Sequence, residues 1–514
     1  MAFVLLILAA LMLGAQPLQK FRTFFPADSA AAPAALRTGS SKSTTASDGA
    51  IWTIAERGVV RTDPKAPPED RVQYINGQRY LPEDEVAAIA PDESHGVWVR
   101  TKTGRISHIE LKPLTLAQKA DYFEQRVHAR HDRWGQVASS ELKEPGNLAT
   151  NQLRSSDNDG LWTAMYAASQ VFRYAVTKSP EALANARKTI GAVLFLEEVT
   201  GRPGFPARSW ITKDEPRPRD GQWHWTPDNQ IQWKGDTSSD EIVGHFFIYG
   251  IAYDLLDDAA LKARIAAATR RIMDHILSNG YYLIDVTGKP TTWGRWSPEY
   301  FASKTGIPDS PLNALELLSF LKTTEHITGD PKYGVEYRKV ALEMKYADRS
   351  TRQLELREEI NYSDEELLML PAYLLFKYER DPQLLAYYRK AIDGWWENIQ
   401  REKNPLWTYI YRTAIPDSKV DMAGALWTLY RIPMDLVNWT VSNSWRKDIQ
   451  WDPKIDRFKK KQALTLLPAD ERPVMKWNGN PFIVDGGGAG RSEDDGGFFL
   501  LAYWLGRYHG FLKD

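Results

Sequence analysis

The 514-residue sequence has no cysteine, no excess of charge of either sign and no long hydrophobic run. Without cysteine, disulfide bonds, thiolate catalysis and cysteine-ligated zinc are excluded. The formal net charge is -1, so composition does not indicate nucleic acid as a partner. The apolar run at residues 2–15 is too short to span a bilayer comfortably.

That apolar run has the length of a signal-peptide core. We therefore expect residues 1–22 to be an export signal or an N-terminal anchor, although the usual basic start is missing and the first lysine is Lys20. The protein is then expected to be exported, and to be periplasmic, envelope-associated or extracellular. Membrane association is expected only through this segment. Residues 23–47 are rich in Ala, Pro, Ser and Thr, which predicts a flexible linker.

Residues 48–112 contain two similar units, each with a tryptophan followed six residues later by a glycine. The pairs are Trp52 with Gly58 and Trp98 with Gly104. Alternating apolar residues around them indicate β-hairpins. The units resemble blades of a β-propeller, and specifically the two-component-regulator propeller repeat. Because two units cannot close a propeller, we expect a small β module packed on the main domain.

From residue 113 to the end at residue 514 the pattern is helical, and the helices come in pairs. The first helix of a pair is apolar all round, whereas the second is amphipathic, which predicts an inner and an outer position. Short turns and N-cap residues separate the helices, as at Thr115, Ser179, Asp258, Asp330, Asp381 and Asn404. About eleven such helices predict a mainly α fold, an α/α toroid of the six-hairpin type, preceded by the β module.

The connections from outer to inner helices are long, and they must all lie on one face of the toroid together with the N-termini of the inner helices. Long connections of this kind are usually functional. The aromatic and polar side chains of the loops that we predict to bind a substrate are Arg208, Trp210, His224, Trp233, Arg295, Trp296 and Glu299. The glycine-rich run at residues 486–490 is expected to be a flexible lid.

Residues 233–245 join one of these loops to an inner helix. Ser238 and Glu241 have the S-x-x-E spacing of a capping box, which predicts the helix start. Capping does not require the neighbouring Asp236 or Asp240, and both are candidate catalytic residues. His245 lies one turn after Glu241 on the same helix face, so we also place it among the candidate substrate-binding residues.

The residues from Asp159 to Tyr166 and from Tyr174 to Glu181 resemble an inner helix and hairpin turn of the six-hairpin glycosidase superfamily, and most closely those of unsaturated glucuronyl hydrolases. In that superfamily, aspartates at the N-termini of inner helices perform acid/base catalysis. By position, the resemblance implies that Asp159 and either Asp236 or Asp240 are catalytic. Asn158 and Trp162 flank Asp159 and are expected to bind substrate.

Together these features predict a glycoside hydrolase that acts on an oligo- or polysaccharide through paired carboxyl groups. The predicted substrates include uronate-containing glycans, because the positive charges of Arg208 and Arg295 can bind a carboxylate. One alternative is a polysaccharide lyase that uses His245 and Tyr249 as the base. The other is a non-catalytic glycan-binding or sensing protein. No metal or other cofactor is expected.

Overall fold

The computed structural model describes residues 17–39, 41–356, 361–473 and 475–513. Within these ranges the α-helices are α1 (Ala34–Thr38), α2 (Leu116–Arg130), α3 (Asp159–Thr177), α4 (Pro180–Glu198), α5 (Ser239–Leu255), α6 (Ala259–Ser278), α7 (Pro298–Ala302), α8 (Gly306–Thr328), α9 (Pro331–Arg338), α10 (Tyr346–Arg349), α11 (Gln353–Leu356), α12 (Tyr362–Tyr378), α13 (Pro382–Ile399), α14 (Pro405–Ala414), α15 (Met422–Arg431) and α16 (Gly497–Tyr508).

The β-strands fall into an N-terminal group and a group within the long connections of the helical domain. They are β1 (Leu18–Phe25), β2 (Ser43–Thr45), β3 (Ile51–Ile54), β4 (Val59–Thr62), β5 (Val72–Ile75), β6 (Val86–Pro91), β7 (Val97–Thr101), β8 (Ile106–Pro113), β9 (Asp132–Arg133), β10 (Gln136–Val137), β11 (Ser139–Leu142), β12 (Asn151–Arg154), β13 (Ser209–Thr212), β14 (Trp223–Trp225), β15 (Ile231–Lys234), β16 (Tyr282–Ile284), β17 (Pro290–Arg295), β18 (Val437–Val441), β19 (Trp451–Ile455), β20 (Lys461–Ala463) and β21 (Gly486–Glu493).

The N-terminal module consists of two four-stranded antiparallel sheets, in the orders β2-β3-β4-β5 and β1-β8-β7-β6. Trp52 lies in β3 and Trp98 in β7, and Gly58 and Gly104 adopt positive φ in the turns that follow these strands. The sequence repeat therefore corresponds to the same hairpin in each sheet. Apolar residues of both sheets share one core, and the propeller repeat stays a prediction from the sequence.

The predicted linker at residues 23–47 is wrong, because this segment belongs to the β module. Strand β1 pairs with β8 along its whole length, with Leu18 opposite Pro113. Leu36 in α1 is fully buried, and β2 pairs with β3. The module therefore includes β1 and does not begin at residue 48. Phe24 and Phe25 favour a strand, but most of residues 26–47 are small or polar, and the position of β1 depends on its distant partner strand β8.

The predicted leader, residues 1–22, lies mostly outside the described residues, which begin at residue 17. Its last residues from position 18 onward form the start of β1. Among the described helices, none combines the length and hydrophobicity needed to cross a bilayer. Export remains a prediction from the sequence.

The helical domain is an α/α toroid of six inner and six outer helices, counted over the described residues. The inner ring closes through the successive contacts α3–α5–α8–α12–α14–α16–α3. Each inner helix packs against an outer partner, and the pairs are α3/α4, α5/α6, α8/α9, α12/α13, α14/α15 and α16/α2. The predicted fold class is confirmed, and α2 supplies the outer helix of the last pair.

Inner helix α5 comes very close to its neighbours because it carries two glycines. A Cβ on Gly244 would lie 2.8 Å from the Cα of Leu161 in α3. A Cβ on Gly250 would lie 2.9 Å from a side-chain carbon of Leu374 in α12. Glycine is unfavourable within a helix, by about 1 kcal/mol relative to alanine, and here close packing offsets that effect.

The glycine-rich run predicted to be a lid is a strand, β21, in the middle of the sheet β12-β11-β21-β18. A Cβ on Gly487 would lie 2.0 Å from the carbonyl oxygen of Trp439 in β18. A Cβ on Gly490 would lie 2.2 Å from the ring of Trp439. The glycines are required because Trp439 lies directly over the strand, and the lid prediction is wrong.

Candidate functional site

Acidic side chains gather where the N-termini of inner helices meet the long connections. We call this region the toroid mouth. It comprises Asn158, Trp162, Arg208, Asp240, Glu316, Asp364, Glu366 and Lys476. Inner helices α5, α8 and α12 each supply at least one of these side chains. Helix α3 supplies Trp162, and Asn158 immediately precedes it.

Asp240 lies in the first turn of α5 and is partly exposed. Its Oδ1 accepts a hydrogen bond from Asn158 Nδ2 at 3.3 Å. Asn158 Oδ1 in turn accepts one from Arg208 at 2.8 Å. Burial of most of the carboxyl group raises the pKa of Asp240 above its usual value, and the nearby Asp364 adds to this effect.

The capping box predicted for Ser238 and Glu241 does not form. Ser238 is the N-cap residue, but its side chain makes no capping hydrogen bond, and its hydroxyl donates to Asn158 Oδ1 at 3.4 Å. Glu241 is fully buried and points toward α3, where a Cβ on Gly160 would lie 1.8 Å from Glu241 Oε2. This burial raises the pKa of Glu241 well above its usual value.

Glu316 and Glu366 lie in the mouth behind Asp240, and both are buried. Glu316 Oε2 accepts a hydrogen bond from the indole N–H of Trp296 at 2.7 Å. Among the described residues, no group donates to Glu316 Oε1 or to Glu366 Oε1. Burial raises the pKa of each glutamate to about 8, and the charge of Asp240 contributes in both cases. Both are therefore protonated at neutral pH.

Sequence interpretation missed these two glutamates, although a signal was present. Glu316 stands within the apolar run of α8, and Glu366 opens the apolar run of α12. An ionisable residue on an all-apolar inner helix is rarely buried without a partner or a function. That pattern identifies positions of this kind in a toroid before the structure is known.

Asp364 and Lys476 complete the mouth. Asp364 lies in the first turn of α12, and its Oδ1 accepts a hydrogen bond from Asn361 Nδ2 at 2.8 Å. The ammonium group of Lys476 lies 4.7 Å from the ring centroid of Trp162 and pairs with Asp494 and Asp495. The mouth therefore presents an aromatic face beside carboxyl groups.

Asp159, predicted to be catalytic, is fully buried, and both of its carboxylate oxygens have partners. Oδ1 accepts from the amide and hydroxyl of Ser156, at 2.8 and 2.6 Å. Oδ2 accepts from Arg133 at 3.2 Å and from the hydroxyl of Ser209. These contacts hold the start of α3 to the loops and leave no free carboxylate oxygen for a substrate.

Asp236, the third aspartate predicted to be catalytic, joins two long connections. Its backbone adopts a left-handed conformation with φ of +51°. Its carboxylate accepts from the amide and hydroxyl of Thr292, at 2.7 and 2.9 Å. Of the three aspartates, only Asp240 has its carboxyl group beside the other acidic residues of the mouth.

The two loop arginines donate hydrogen bonds to backbone carbonyl groups. Arg208 donates to the carbonyl oxygens of Asp157 and Asp236, at 2.6 and 3.2 Å, in addition to Asn158. Arg295 donates to the carbonyl oxygen of Thr291 at 2.7 Å. Arg208 lies at the edge of the mouth, and its main role is to fix the loop geometry around Asn158.

The remaining loop residues are spread over several environments. Trp233 is buried and contacts His224, with ring centroids 4.6 Å apart. Trp210 is buried beneath the hairpin β9–β10, and Glu299 is exposed on the short helix α7. Trp296 reaches the mouth through its bond to Glu316.

His245 and Tyr249 are both fully buried within the helical core. Their rings meet edge to face with centroids 5.7 Å apart, and His245 Nδ1 lies 2.6 Å from the carbonyl oxygen of Glu241. Burial lowers the pKa of His245 to about 4 and raises that of Tyr249 well above its usual value. Neither side chain is accessible as a base, so this pair does not support a lyase.

Ligand atoms of Glu124, His128 and Glu181 lie close enough together to hold a metal ion. However, Glu124 already accepts from the hydroxyl of Tyr166 at 2.5 Å, and the guanidinium of Arg173 lies 3.6 Å from it. These contacts account for the charge of Glu124 without a metal ion, and the group lies away from the mouth residues.

No protein-family model matches the chain, and no curated protein sequence matches it. Among solved structures, an unsaturated glucuronyl hydrolase specific for heparin is similar at 10% identity, with a TM-score of 0.37 over 77% of this chain and 96% of that one. A polysaccharide lyase is similar at 12% identity, with a TM-score of 0.36 over 78% and 99%. A metagenome-derived glycoside hydrolase family 9 endoglucanase is similar at 12% identity, with a TM-score of 0.33 over 96% and 99%.

Proposed function

We propose that this chain is a carbohydrate-active enzyme that hydrolyses glycosidic bonds in an oligo- or polysaccharide. The observation that carries the proposal is the pairing of Asp240 and Asp364. These two carboxyl groups stand at the N-termini of α5 and α12, inner helices that contact each other, and they interact electrostatically in the mouth. Glycoside hydrolysis requires two carboxyl groups of this kind, one as acid and one as base or nucleophile.

Asp240 is the proposed general acid. It is the most exposed of the carboxyl groups in the mouth, and its raised pKa keeps a larger protonated fraction than an ordinary aspartate has. The hydrogen bond from Asn158 orients the carboxyl group. The protonated Glu316 and Glu366 behind it add no full negative charge at neutral pH, so they do not oppose the ionisation of the partner carboxylate.

Asp364 is the proposed base or nucleophile. The helix dipole stabilises a carboxylate in the first turn of α12 by about 0.3–1 kcal/mol. Trp162 offers an aromatic face for a sugar ring at the same mouth. We assign no charge to the glycan substrate, because Arg208 and Arg295 donate hydrogen bonds to backbone carbonyl groups and do not select for a carboxylate.

The test compares Asp240→Asn and Asp364→Asn with the matched control Asp257→Asn, an exposed aspartate in the turn before α6. Each variant is incubated with cellulose, xylan, chitosan, alginate and heparin. Reducing ends and near-ultraviolet absorbance are followed together. We expect both mouth variants to lose about 10²- to 10⁴-fold in kcat/KM, and the control to retain activity.

The same assay separates the competing functions. A lyase produces an unsaturated uronate that absorbs in the near ultraviolet, whereas a hydrolase produces reducing ends without this absorbance. A binding protein produces neither signal but gains thermal stability with a glycan. Full activity in both mouth variants would contradict the assignment of Asp240 and Asp364.

We also propose that the protein is exported, on the strength of the apolar run at residues 2–15. Mass spectrometry of the protein recovered from its native cell checks this. Cleavage before Leu18 would leave β1 whole, whereas cleavage after residue 25 would remove the strand. An unprocessed cytosolic protein would contradict the proposal.

A further inference from the structure

Trp134 is one of the most exposed large side chains in the described part of the chain, at 64% exposure. It occupies the tip of the hairpin β9–β10, in a two-residue turn formed with Gly135. Both residues have positive φ, +58° and +89°. Turns of this type favour Asn, Asp or Gly at the first position, so a bulky tryptophan there is strained. The turn conformation does not explain this residue.

The ring of Trp134 rests on a rigid support. It stacks on Trp210 with ring centroids 6.5 Å apart and an interplanar angle of 29°. Trp210 packs edge-on against Phe195, and its carbonyl oxygen accepts two hydrogen bonds of 2.7 Å from Arg133. Among the described residues, the buried indole N–H of Trp210 has no hydrogen-bond partner. Trp134 therefore presents its other face outward from a fixed position.

The support of Trp134 is connected to the toroid mouth through Arg208. Hydrogen bonds connect Asp240 to Asn158 and Asn158 to Arg208. Arg208 immediately precedes β13, and Trp210 is the second residue of that strand. Two strand residues span about 7 Å, which is the distance along the backbone from Arg208 to the support of Trp134. A chain bound at Asp240 can extend across Arg208 to this ring.

The surroundings of Trp134 favour a sugar over a protein partner. The ring stands alone among polar side chains, with Asp132 paired to Lys188 and Glu215 paired to Arg133. Protein-docking surfaces present larger contiguous apolar patches. A sugar ring offers one apolar face for stacking and hydroxyl groups for the polar side chains around it. Rigid support of the ring limits the loss of side-chain entropy on binding.

We propose that Trp134 is an aromatic platform that binds one sugar unit of a polysaccharide outside the toroid mouth. This inference rests on the proposed function, and it makes the preferred substrate a polymer and not a short oligosaccharide. Trp134 takes no part in bond cleavage. Its contribution is to the binding of chains long enough to reach from Asp240 to the hairpin.

The test uses Trp134→Asn and Trp134→Phe in the full chain. Asparagine suits the left-handed turn, so Trp134→Asn removes the ring while keeping or raising the melting temperature. Phenylalanine keeps a smaller ring. The matched control is Trp451→Ala, which removes a 40% exposed tryptophan from β19. The substrate is whichever of cellulose, xylan, chitosan, alginate and heparin the unaltered protein cleaves fastest, together with its trisaccharide.

We expect Trp134→Asn to raise KM for the polymer by about 3- to 10-fold with kcat unchanged. KM for the trisaccharide should not change, Trp134→Phe should restore part of the affinity, and Trp451→Ala should behave like the unaltered protein. An unchanged KM for the polymer, or an equal rise in KM for the polymer and the trisaccharide, would overturn the proposal that Trp134 is a sugar-binding platform. Loss of a dimer in Trp134→Asn, measured by sedimentation, would also overturn it, by assigning the ring to a second copy of the chain.

The two proposals fail in different ways. If the unaltered protein neither cleaves nor binds any of the five glycans, the proposed function fails and the platform fails with it. If the protein cleaves a polymer and Trp134→Asn cleaves it with the same KM, only the platform is wrong. Trp134→Asn makes this distinction possible, because we expect the variant to be as stable as the unaltered protein, so that a change in KM cannot be attributed to unfolding.

Discussion

Two regions of this molecule bury many ionisable groups, and they differ in how the charges are balanced. One is the toroid mouth. The other lies between the β module and the toroid; we call it the module junction and define it by Lys20, Asp70, Arg431, Arg446, Asp470 and Glu471. At the junction three cations face three carboxylates. At the mouth Lys476 is the cation nearest Glu366, and its ammonium group already pairs with Asp494 and Asp495.

The junction is a closed network centred on Arg431. Its guanidinium binds Asp470 at 2.9 Å, Asp70 at 2.5 Å and Glu471 at 2.9 Å. Lys20 in β1 binds Asp470 at 2.5 Å. Burial by itself raises the pKa of Asp470, but Arg431 and Lys20 outweigh it and hold the pKa well below its usual value. These charges attach the β module to the helical domain.

This comparison distinguishes charged groups that are buried for stability from those that are buried for function. At the junction, opposite charges and hydrogen bonds compensate the desolvation of the Asp470 carboxylate. At the mouth the glutamates respond by remaining protonated, which leaves free oxygen atoms beside Asp240. Uncompensated carboxyl groups in a cleft have no stabilising role, and such groups are concentrated at functional sites.

The largest effect should come from breaking the junction with Arg431→Met. The substitution keeps most of the side-chain volume but leaves Asp70, Asp470 and Glu471 without their shared cation. We expect the free energy of unfolding to fall by about 3–5 kcal/mol, measured by urea denaturation. A loss below 1 kcal/mol would show that the junction does not stabilise the protein.

The next effect distinguishes Asp159 from Asp240. Asp159→Asn removes the carboxylate that accepts from Arg133 and two serines, so we expect a loss of about 2–3 kcal/mol. Asp240→Asn should change stability little, because one hydrogen bond from Asn158 is its main contact. Urea denaturation of both variants beside the activity assay tests this. Equal destabilisation would contradict the assignment of a structural role to Asp159.

A smaller effect concerns pH. Burial raises the pKa of Glu316 and of Glu366 from the ordinary value of 4.5 to about 8 in the folded protein. The folded state therefore binds more protons between these values, and stability falls as pH rises from about 4.5 to 8. The double variant E316Q/E366Q has no ionisable group at these two positions, so this part of the pH dependence of stability is absent. We expect the difference in unfolding free energy between pH 5 and pH 8 to shrink in this variant, measured by denaturation at both pH values.

If the double variant instead loses as much stability over this pH range as the unaltered protein, these glutamates are not protonated in the folded state. Asp257→Asn serves as the control, because this exposed aspartate should leave the pH dependence unchanged.

The smallest effect should come from an exposed ion pair, Arg264 with Glu198, whose atoms are 2.9 Å apart. Both side chains are largely in solvent. Arg264→Met should change the free energy of unfolding by less than about 1 kcal/mol in the same denaturation experiment. A loss similar to that of Arg431→Met would mean that burial is not what separates the two networks.

The fold class follows from signals that are local in the sequence. The predicted N-cap Thr115 forms a capping box with Gln118, and Ser179, Asp258 and Asp330 cap outer helices through their side chains. Such bonds join residues two or three positions apart, so they form wherever the helix forms. Alternation of all-apolar and amphipathic helices then predicts the two layers of the toroid.

The candidate site was predicted only in part, because its residues are held by distant partners. Asn158, Asp240 and Arg208 were named from loop position and helix start, and the structure brings them together. Asp159 carries the same local signal as Asp240, yet Arg133 and Ser209 occupy its carboxylate. No pattern near Asp159 in the sequence indicates those partners.

The sequence by itself determined the order of helices, most of their caps and the face on which the long connections lie. Tertiary structure alone decided which acidic residues are free. Glu241 has the spacing of a capping residue but turns into the space beside Gly160. Strand β1 pairs with a strand that is distant in sequence, with Leu18 opposite Pro113 and Phe25 opposite Ile106. Caps depend on neighbours along the chain, whereas burial, strand pairing and pKa depend on neighbours in space.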